Sequence, residues 1–393
     1  MNISFDNTEN AFAYKTNKQL KKSRFLFKTM SYWLLAKAGV RLTPIIMKLG
    51  LPIKGLVRKT IFNQFVGGET LQETAGVGNV LEKYGVQVIL DYGVEGKEGE
   101  ENFDQATREF IKVIDYAASQ KNIPYISVKV TGIARFDLLQ RLNEAPRLRS
   151  GIHDNEFEDQ EWDRVSERMY QICHEAAERN IGVLIDAEES WIQDPVDRLT
   201  MEMMEEFNQE KAIVYNTIQL YRHDRLDFLK LSHRIAKQKG FLLGVKLVRG
   251  AYMEKERSRA AAKGYVCPIQ PDKESTDRDY NAAVTYSIDH LQEIAVIVAT
   301  HNEQSNLLAA HLMEQKNIPH NHPHVHFSQL YGMSDNITFN LAKEGFSVSK
   351  YLPFGPIDDV IPYLMRRAQE NSSVSGQTGR ELTLIEKEIK RRG

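Results

Sequence analysis

Eight short runs rich in valine and isoleucine recur between Val86 and Leu352, and this repetition constrains the fold more than any other feature of the sequence. The runs hardly alternate between apolar and polar residues, which is typical of strands buried on both faces of a parallel sheet. Longer amphipathic segments, such as residues 162–180 and 276–292, separate them and predict helices. The runs begin at Val86, Tyr125, Gly182, Ile213, Leu243, Ile294, Val325 and Phe346. Eight consecutive strand–helix units predict an α/β fold of the (βα)8 TIM-barrel type rather than a doubly wound sheet.

Polar or aromatic residues stand at or just after the carboxyl end of each run. In a (βα)8 barrel these ends meet at one mouth, which is where the chemistry lies. A mouth with several cations, carboxylates and tyrosines suits a small zwitterion or carboxylic acid with an apolar body. The residues expected there are Asp91, Glu95, Lys129, Thr131, Asp186, Glu188, Gln219, Lys246, Arg249, Tyr252, Thr300, His301, Gln329 and Tyr351.

A charged helix is predicted directly after the eighth run. It begins near Asp358, and Pro362 stands early, where a missing N–H costs least. Two arginines on one face form a fork that suits a carboxylate or phosphate, although an isolated RRxxE pattern is usually a solvated face with ion pairs. Because the helix follows a strand that ends at the mouth, we favour the ligand-binding interpretation. The shared face carries Tyr363, Arg366, Arg367 and Glu370.

The N-terminal segment is basic. Residues 10–68 contain twelve lysines and arginines, no acidic residue, and interleaved aromatic and aliphatic residues, which predicts a basic amphipathic helical arm. Two interpretations are open: the arm binds an anionic membrane surface, or it is a helical collar whose apolar side packs on the main domain. We expect an arm at residues 1–75, a barrel with its catalytic C-terminal helix at 76–371, and a C-terminal tail at 372–393.

Composition excludes several classes of protein. The net charge of −2 gives no bulk attraction to nucleic acid, and no apolar run is long enough to span a membrane. Two cysteines fit neither a disulfide framework nor a metal knuckle, so we expect a reducing compartment. The N-terminus lacks a signal core, and Asp6 and Glu9 count against a transit peptide, which predicts a cytoplasmic protein.

Neither a metal nor a Rossmann nucleotide site is predicted at the mouth. The alternating His320, His322, His324 and His326 resemble a metal-binding tract, but they precede or begin the seventh run, at the barrel end opposite the mouth. We therefore expect at most adventitious surface metal binding there. No G-x-G-x-x-G follows a strand, whereas Gly250 would let the backbone approach a cofactor phosphate closely.

Five motifs in order resemble the proline dehydrogenase family. They are DAEES (186–190), KLVRGAY (246–252), ATHN (299–302), YLPFGP (351–356) and YLMRRAQEN (363–371). The resemblance runs from about Gln64 to Asn371. It implies a distorted (βα)8 barrel that uses FAD to oxidise L-proline to Δ1-pyrroline-5-carboxylate, the first step of proline catabolism. It also implies electron transfer to a membrane quinone, and hence a peripheral location on the inner face of a bacterial membrane.

The resemblance also implies the roles of individual residues. The substrate carboxylate would lie on Arg366, Arg367 and Lys129, with Tyr351 and Tyr363 over the pyrrolidine ring. Catalytic positions beside the substrate and flavin match Asp186, Lys246 and Tyr252, and Glu95 matches a gate carboxylate that pairs with the first arginine. Glu370 would orient the neighbouring cations. The positions that contact the cofactor are Ala187, Gln219, Val248, Arg249, Gly250, Ala251, Thr300, His301 and Glu370.

One departure from the family pattern concerns Lys246, where many bacterial members carry arginine; the KLVRGAY form resembles the eukaryotic-type branch. Lysine keeps the charge but loses the fork, so its contacts near the flavin N1 and C2 oxygen should differ. The aldehyde dehydrogenase and DNA-binding parts of bifunctional relatives are lacking, which predicts a monofunctional enzyme. Two alternatives are a hydroxyproline dehydrogenase, against which Tyr351 argues because that branch tends to a small residue there, and a flavin-free barrel that binds small acids. The sequence does not predict the oligomeric state.

Overall fold

Eight parallel strands close into a barrel in the order β1 to β8. The structure is a computed structural model that describes residues 3–30, 54–93, 98–144, 156–373 and 375–393. Each strand begins within two residues of its predicted start, so the predicted barrel is confirmed. The strands are β1 Gln87–Tyr92, β2 Tyr125–Lys129, β3 Gly182–Asp186, β4 Val214–Gln219, β5 Leu243–Val248, β6 Ile294–Ala299, β7 Val325–Leu330 and β8 Val348–Phe354.

Helices alternate with the strands and continue at both ends of the chain. The described α-helices are α1 Thr8–Phe12, α2 Asn17–Met30, α3 Lys54–Val57, α4 Asn63–Phe65, α5 Leu71–Glu82, α6 Glu100–Ala118, α7 Phe136–Glu144, α8 Glu156–Glu178, α9 Gln193–Phe207, α10 Arg225–Lys239, α11 Met253–Lys263, α12 Lys273–Asp289, α13 Glu303–Gln315, α14 Asp335–Lys343, α15 Ile357–Ser373 and α16 Ser375–Arg392. A π-helical turn, Arg58–Phe62, joins α3 to α4, and 3₁₀ turns at Val130–Gly132 and Ser190–Ile192 follow β2 and β3.

The chain packs as two compact units, which we name the central unit (residues 96–327) and the terminal unit (residues 1–95 and 328–393). In the central unit, β2 to β6 pair in parallel, and all six residues of β4 are buried. Local signals end its helices as expected. The Asp272 side chain accepts from Ser275 N–H at 2.7 Å and caps α12, while Gly264 ends α11 with a left-handed φ of 73°.

In the terminal unit, β1 pairs in parallel with β8, and the terminal helices share one hydrophobic cluster. Residues 375–392, within the predicted tail, form the packed helix α16. Arg392 on this helix donates to the carbonyls of Phe12 and Lys15 at 2.8 and 2.7 Å. The partners of α16 lie at the far end of the sequence, so local patterning does not reveal its docking. The cluster contains Ala11, Phe12, Leu20, Phe27, Met30, Phe62, Phe65, Val66, Met333, Ile357, Val360, Leu364, Leu384 and Ile385.

The basic arm is described at residues 3–30 and 54–68. Its helix α2 buries Leu20, Phe27 and Met30 in the cluster, as the collar interpretation predicts. The opposite face of α2 is exposed, and Phe25 on it is 70% exposed. Membrane binding by this outer face stays a prediction, and residues 31–53 of the arm lie outside the described residues.

A buried group of charges connects the chain ends to the barrel within the terminal unit. Asp335, at the start of α14, lies 3.0 Å from Lys350 of β8 and 2.9 Å from Lys15, and it accepts from Tyr14 OH at 2.8 Å. Burial alone would raise the pKa of Asp335, but the two lysines lower it to about 2. Glu381 of α16 accepts from Ser334 N–H next to this group. Burial, reinforced by the charge of Asp335, raises the pKa of Glu381 to about 7.

Candidate active site

Asp186 lies between two lysines of the central unit, Lys129 of the adjacent strand β2 and Lys246 of β5, which is two strands away. It ends β3 opposite Lys129, which ends β2, and their charged groups are 3.7 Å apart. Lys246 of β5 donates to the other carboxylate oxygen of Asp186. Lys246 is 5% exposed, whereas the Asp186 side chain retains 13% exposure. These three residues therefore form one partly accessible group with a net positive charge.

The segment after β3 is held from several sides. The Gln219 amide donates to the Glu188 carbonyl at 2.7 Å, and Thr131 Oγ1 donates to the Glu188 carboxylate at 2.8 Å. Gln193 accepts from Glu188 N–H at 3.1 Å. Gln219 thus positions the backbone next to Ala187, a predicted cofactor contact.

Arg249 follows β5, and the protein holds its guanidinium at each of its three nitrogens. Nε donates to Asp277 at 2.8 Å, one terminal nitrogen donates to Thr300 Oγ1 at 2.6 Å, and the other donates to Ser305 Oγ at 3.0 Å. The group also lies over the Tyr280 ring at 4.3 Å. Burial alone would raise the pKa of Asp277, but hydrogen bonds from Lys273 and Arg249 keep it below its ordinary value. Arg249 and Thr300 are therefore fixed relative to one another.

Gly250 has a conformation that glycine alone adopts easily, with φ of 132°. A Cβ at this position would lie 2.4 Å from the Tyr221 ring. The neighbouring backbone is also fixed, because Leu220 N–H donates to Val248 C=O at 2.9 Å and Tyr221 N–H donates to Arg249 C=O at 2.7 Å. The glycine in KLVRGAY therefore permits a close approach between backbone and a side chain, and Ala251 next to it is exposed.

The predicted charged helix is α15, which follows β8 after only two residues. Tyr351 lies on β8 opposite Ile89 of β1 and is half-buried. On α15, Arg367 is buried and its guanidinium carbon lies 5.3 Å from the Tyr363 ring centre. The Tyr363 ring packs against the hydrophobic cluster of the terminal unit. The helix begins at Ile357, one residue before its predicted start, and Pro362 lies in its second turn.

The structure thus groups the predicted residues by unit. Lys129, Asp186, Gln219, Lys246 and Arg249 lie at the strand ends of the central unit with Ala187, Val248, Gly250, Ala251, Tyr252, Thr300 and His301, while Tyr351, Tyr363, Arg366 and Arg367 lie on β8 and α15 of the terminal unit. Glu95 and the side chain of Glu370 are outside the described residues, so their roles stay predictions.

The histidine tract holds no cluster of metal-ligand type. Among the described residues, no three His, Cys, Asp or Glu side chains are arranged to bind a metal ion. His324 Nδ1 lies 2.6 Å from the Leu291 carbonyl, and His326 is buried in β7 beside the Tyr125 ring. Burial lowers the pKa of His326 to about 3. His326 is therefore a neutral core residue.

Sequence reasoning missed two supporting carboxylates, Asp277 and Glu256. Asp277 lies on α12 and holds Arg249, while Glu256 lies on α11 and accepts two hydrogen bonds from Ser190. Glu256 has one available signal, an acidic residue shortly after KLVRGAY in the first turns of the next helix. Asp277 has none, since it is one acid among several in α12.

Comparison with known proteins decides the family. Residues 76–380 match the family model described as Proline dehydrogenase. This chain belongs to the proline dehydrogenase family. The family consists of oxidoreductases, and the resemblance seen in the five motifs is confirmed.

Among the helices that the structure describes, none is long and apolar enough to cross a membrane.

Relatives of different names share this family likeness. The carbapenem antibiotics biosynthesis protein CarD of Pectobacterium carotovorum subsp. carotovorum is 37% identical over 84% of this chain and 83% of its own length. A hydroxyproline dehydrogenase of Xenopus laevis is 32% identical over 97% of this chain and 88% of its own length. Family membership alone therefore leaves the substrate to be argued from the site.

Among solved structures, proline utilization A (PutA) from Bdellovibrio bacteriovorus, inactivated by N-propargylglycine, superimposes with a TM-score of 0.72 at 20% identity. The match covers 84% of this chain and 36% of that chain. This chain thus spans about a third of the PutA chain. At this level of identity the likeness supports the distorted (βα)8 barrel and nothing finer.

Proposed function

We propose that this protein is a flavoenzyme that oxidises L-proline to Δ1-pyrroline-5-carboxylate. The observation that carries the proposal is the group formed by Lys129, Asp186 and Lys246 at the strand ends of a proline dehydrogenase-family barrel. Such a group of fixed charges suits a zwitterionic substrate whose carboxylate and amine must be held at the same time. The substrate, the cofactor and the electron acceptor are all parts of this proposal.

FAD is the cofactor we propose, and the donors in the central unit suit its polar groups. Lys246 and Arg249 are cations held in place by Asp186 and Asp277. The bend at Gly250 follows them, where a side chain would meet the Tyr221 ring. Thr300, His301, Gln219, Ala187, Val248 and Ala251 would complete the cofactor contacts. Bound flavin would supply a two-electron acceptor, which no side chain of the protein can replace.

We propose that Arg366, Arg367 and Lys129 bind the carboxylate and that Tyr351 and Tyr363 cover the ring. Arg367 is buried and lies over the Tyr363 ring, so its orientation is restricted before any ligand binds. A restricted donor costs less conformational entropy on binding and orients the substrate more sharply.

The chain's own contribution to the reaction would be orientation and electrostatics. The ammonium of Lys246, fixed by Asp186, would stabilise the negative charge that the hydride from proline C5 brings to the acceptor. The proline ammonium would first release a proton to water, and the lone pair of the neutral amine would then form the C=N bond as the hydride leaves C5. Loss of the remaining N–H proton to water would give the neutral imine. Asp186 would orient Lys246, and Tyr252 would border the reacting atoms.

The test is a product measurement on the purified protein. With L-proline and a soluble dye as acceptor, we expect a product that is two hydrogens lighter by mass spectrometry, and a protein whose visible spectrum is that of a flavin. A colourless protein that binds proline without changing it would instead support the flavin-free alternative.

Hydroxyproline is the second candidate substrate, because a hydroxyproline dehydrogenase is among the relatives. The half-buried Tyr351 argues against it, since a tyrosine over the ring leaves little room for a 4-hydroxyl group. A pocket difference of this size changes kcat/KM by about 10- to 200-fold. Equal kcat/KM values for L-proline and 4-hydroxy-L-proline would contradict the preference for proline.

We further propose that electrons pass to a membrane quinone and that α2 docks the protein on the inner membrane face. The outer face of α2 exposes Lys18, Lys21 and Lys22 together with Phe25. Reversing these three lysines to glutamate should abolish salt-sensitive binding to anionic vesicles, since each surface cation contributes about 1 kcal/mol. The matched control replaces three other exposed lysines, Lys121, Lys230 and Lys263, with glutamate. Equal vesicle binding by both triple variants would contradict docking through α2, and dye reduction should survive in both.

A further inference from the structure

Glu256 links two of the segments that we assign to the flavin. We propose that Glu256 is a positioning residue for the cofactor, an inference that rests on the proposed function. It lies in α11, shortly after the KLVRGAY motif, and is completely buried. Its position in the sequence predicts no contact with the β3 segment.

Both oxygens of the Glu256 carboxylate are bonded to one residue. Oε1 accepts from Ser190 N–H at 2.6 Å, and Oε2 accepts from Ser190 Oγ at 2.7 Å. A buried carboxylate costs free energy unless hydrogen bonds replace its water. The paired geometry therefore fixes the distance and orientation between α11 and the start of the 3₁₀ turn Ser190–Ile192.

The two connected segments both contain predicted cofactor contacts. Ser190 lies three residues after Ala187, and Glu256 N–H donates to the Tyr252 carbonyl at 2.9 Å, one residue after Ala251. A second link, from Lys255 to Glu189 at 2.7 Å, joins the same segments, but Lys255 is largely exposed and an exposed ion pair contributes little. Glu256 is thus a buried link between the segment after β3 and the segment after β5.

Loss of this carboxylate should weaken flavin binding because the bonds from Ser190 to α11 would be lost. The segment after Ala187 would then be fixed less closely relative to Gly250 and Ala251, although Gln219, Thr131 and Gln193 still hold Glu188. Glutamine at this position would preserve the link: its carbonyl oxygen accepts from Ser190 N–H, and its amide donates to Ser190 Oγ, which can accept as well as donate. The conservative variant therefore separates positioning from charge.

The experiment measures the dissociation constant of FAD from the purified holoprotein by the fluorescence of released flavin. We expect Glu256→Ala to raise it about 10-fold or more, because two charge-assisted hydrogen bonds are lost. Glu256→Gln should stay within about 3-fold of wild type, and Ser190→Ala, which keeps the backbone bond, should be intermediate. The matched control is Glu161→Ala, a buried carboxylate of the same unit held by Arg135 at 2.9 and 2.7 Å, and its FAD affinity should be unchanged even where its melting temperature falls.

The outcomes separate this inference from the proposed function. Wild-type FAD affinity in Glu256→Ala, or an equal loss in Glu161→Ala, would overturn the positioning role while leaving the flavoenzyme proposal standing. A Gln variant as weak as the Ala variant would also overturn it. If Glu256→Ala does not fold, Ser190→Ala carries the test, and wild-type affinity there would count against the link. A wild-type protein that binds no FAD would overturn the proposed function, and this inference with it.

Discussion

Two strands of the barrel each bury a lysine against an aspartate, and the two pairs differ in what surrounds them. Lys246 of β5 contacts Asp186 at the strand ends of the central unit, where Asp186 keeps some exposure and a second lysine lies nearby. Lys350 of β8 is 0% exposed and contacts Asp335, which is 2% exposed. The first pair is open to a ligand, whereas the second is enclosed by protein groups.

The comparison shows that burial of an ion pair does not by itself identify a functional site. Lys350 also donates to the Met333 carbonyl, and Asp335 contacts Lys15 and Tyr14 of the N-terminal segment. This pair therefore connects β8 to the chain end and stabilises the terminal unit. Lys246 and Asp186 instead lie where a (βα)8 barrel places its chemistry. The same substitution at each lysine separates the two roles.

The largest effect is expected for Lys350→Met, and it should be on stability. Removing one partner of a buried ion pair leaves an uncompensated charge and costs about 3–5 kcal/mol. Thermal and denaturant unfolding should report this loss, while kcat of the folded fraction at low temperature should stay near wild type. A variant of unchanged stability would show that Lys15 and Tyr14 are sufficient to stabilise Asp335, and that the Lys350–Asp335 pair does not stabilise the terminal unit.

Lys246→Met should have the opposite profile. Because Lys246 would stabilise charge that develops during hydride transfer, its loss should lower kcat by about 10²- to 10³-fold. Stability should change less than in Lys350→Met, since Asp186 retains Lys129 and partial exposure. Steady-state kinetics and a melting curve on the same preparation measure the loss of kcat and the change in stability. A near-normal kcat and a large loss of stability in Lys246→Met would show that the Lys246–Asp186 pair is structural, like the Lys350–Asp335 pair.

Stability should also depend on pH at the Lys350–Asp335 pair, because Glu381 lies next to it. Because burial and Asp335 raise the pKa of Glu381 to about 7, the folded protein binds this proton more tightly than the unfolded chain. Its stabilising contribution is complete below the ordinary carboxyl pKa and falls by about 3 kcal/mol as pH rises through pH 7. Asp335, whose pKa is lowered to about 2, has the opposite pH dependence. Its stabilising contribution is present at neutral pH and is lost only in strong acid. Glu381→Gln should remove the decrease in the free energy of unfolding between about pH 4.5 and 7. If the decrease is unchanged in this variant, other groups cause it.

Arg367 tests whether a residue of the terminal unit can behave like Lys246. If it binds the substrate carboxylate, Arg367→Met loses charge-assisted hydrogen bonds worth roughly 1.5–3 kcal/mol, which is about 10- to 150-fold in kcat/KM. Most of the loss should appear in KM, since the contact exists before and during hydride transfer. Flavin content should survive. The control is Arg380→Met, at a half-exposed arginine of α16. Wild-type kinetics for Arg367→Met would show that Arg367 does not bind the substrate.

Much of the fold was predictable because valine and isoleucine runs specify buried parallel strands locally. The grouping of Lys129, Asp186 and Lys246 was predictable for a topological reason, since each ends or nearly ends a strand. By contrast, Lys350 lies in a similar run, and nothing local indicates that it faces Asp335. The docking of α16 and the link from Glu256 to Ser190 also depend on contacts between residues far apart in sequence, which periodicity does not encode.

The rate at which L-proline reduces the bound flavin without oxygen would show whether Lys246 takes part in the reaction. In stopped-flow mixing, we expect wild type and Lys350→Met to lose their visible flavin absorbance at similar rates with L-proline and not with D-proline. Lys246→Met should be slower by the factor seen in kcat. If L-proline leaves the wild-type flavin oxidised, the protein is not a proline dehydrogenase. If the flavin of Lys246→Met is reduced at the wild-type rate, Lys246 does not act in hydride transfer.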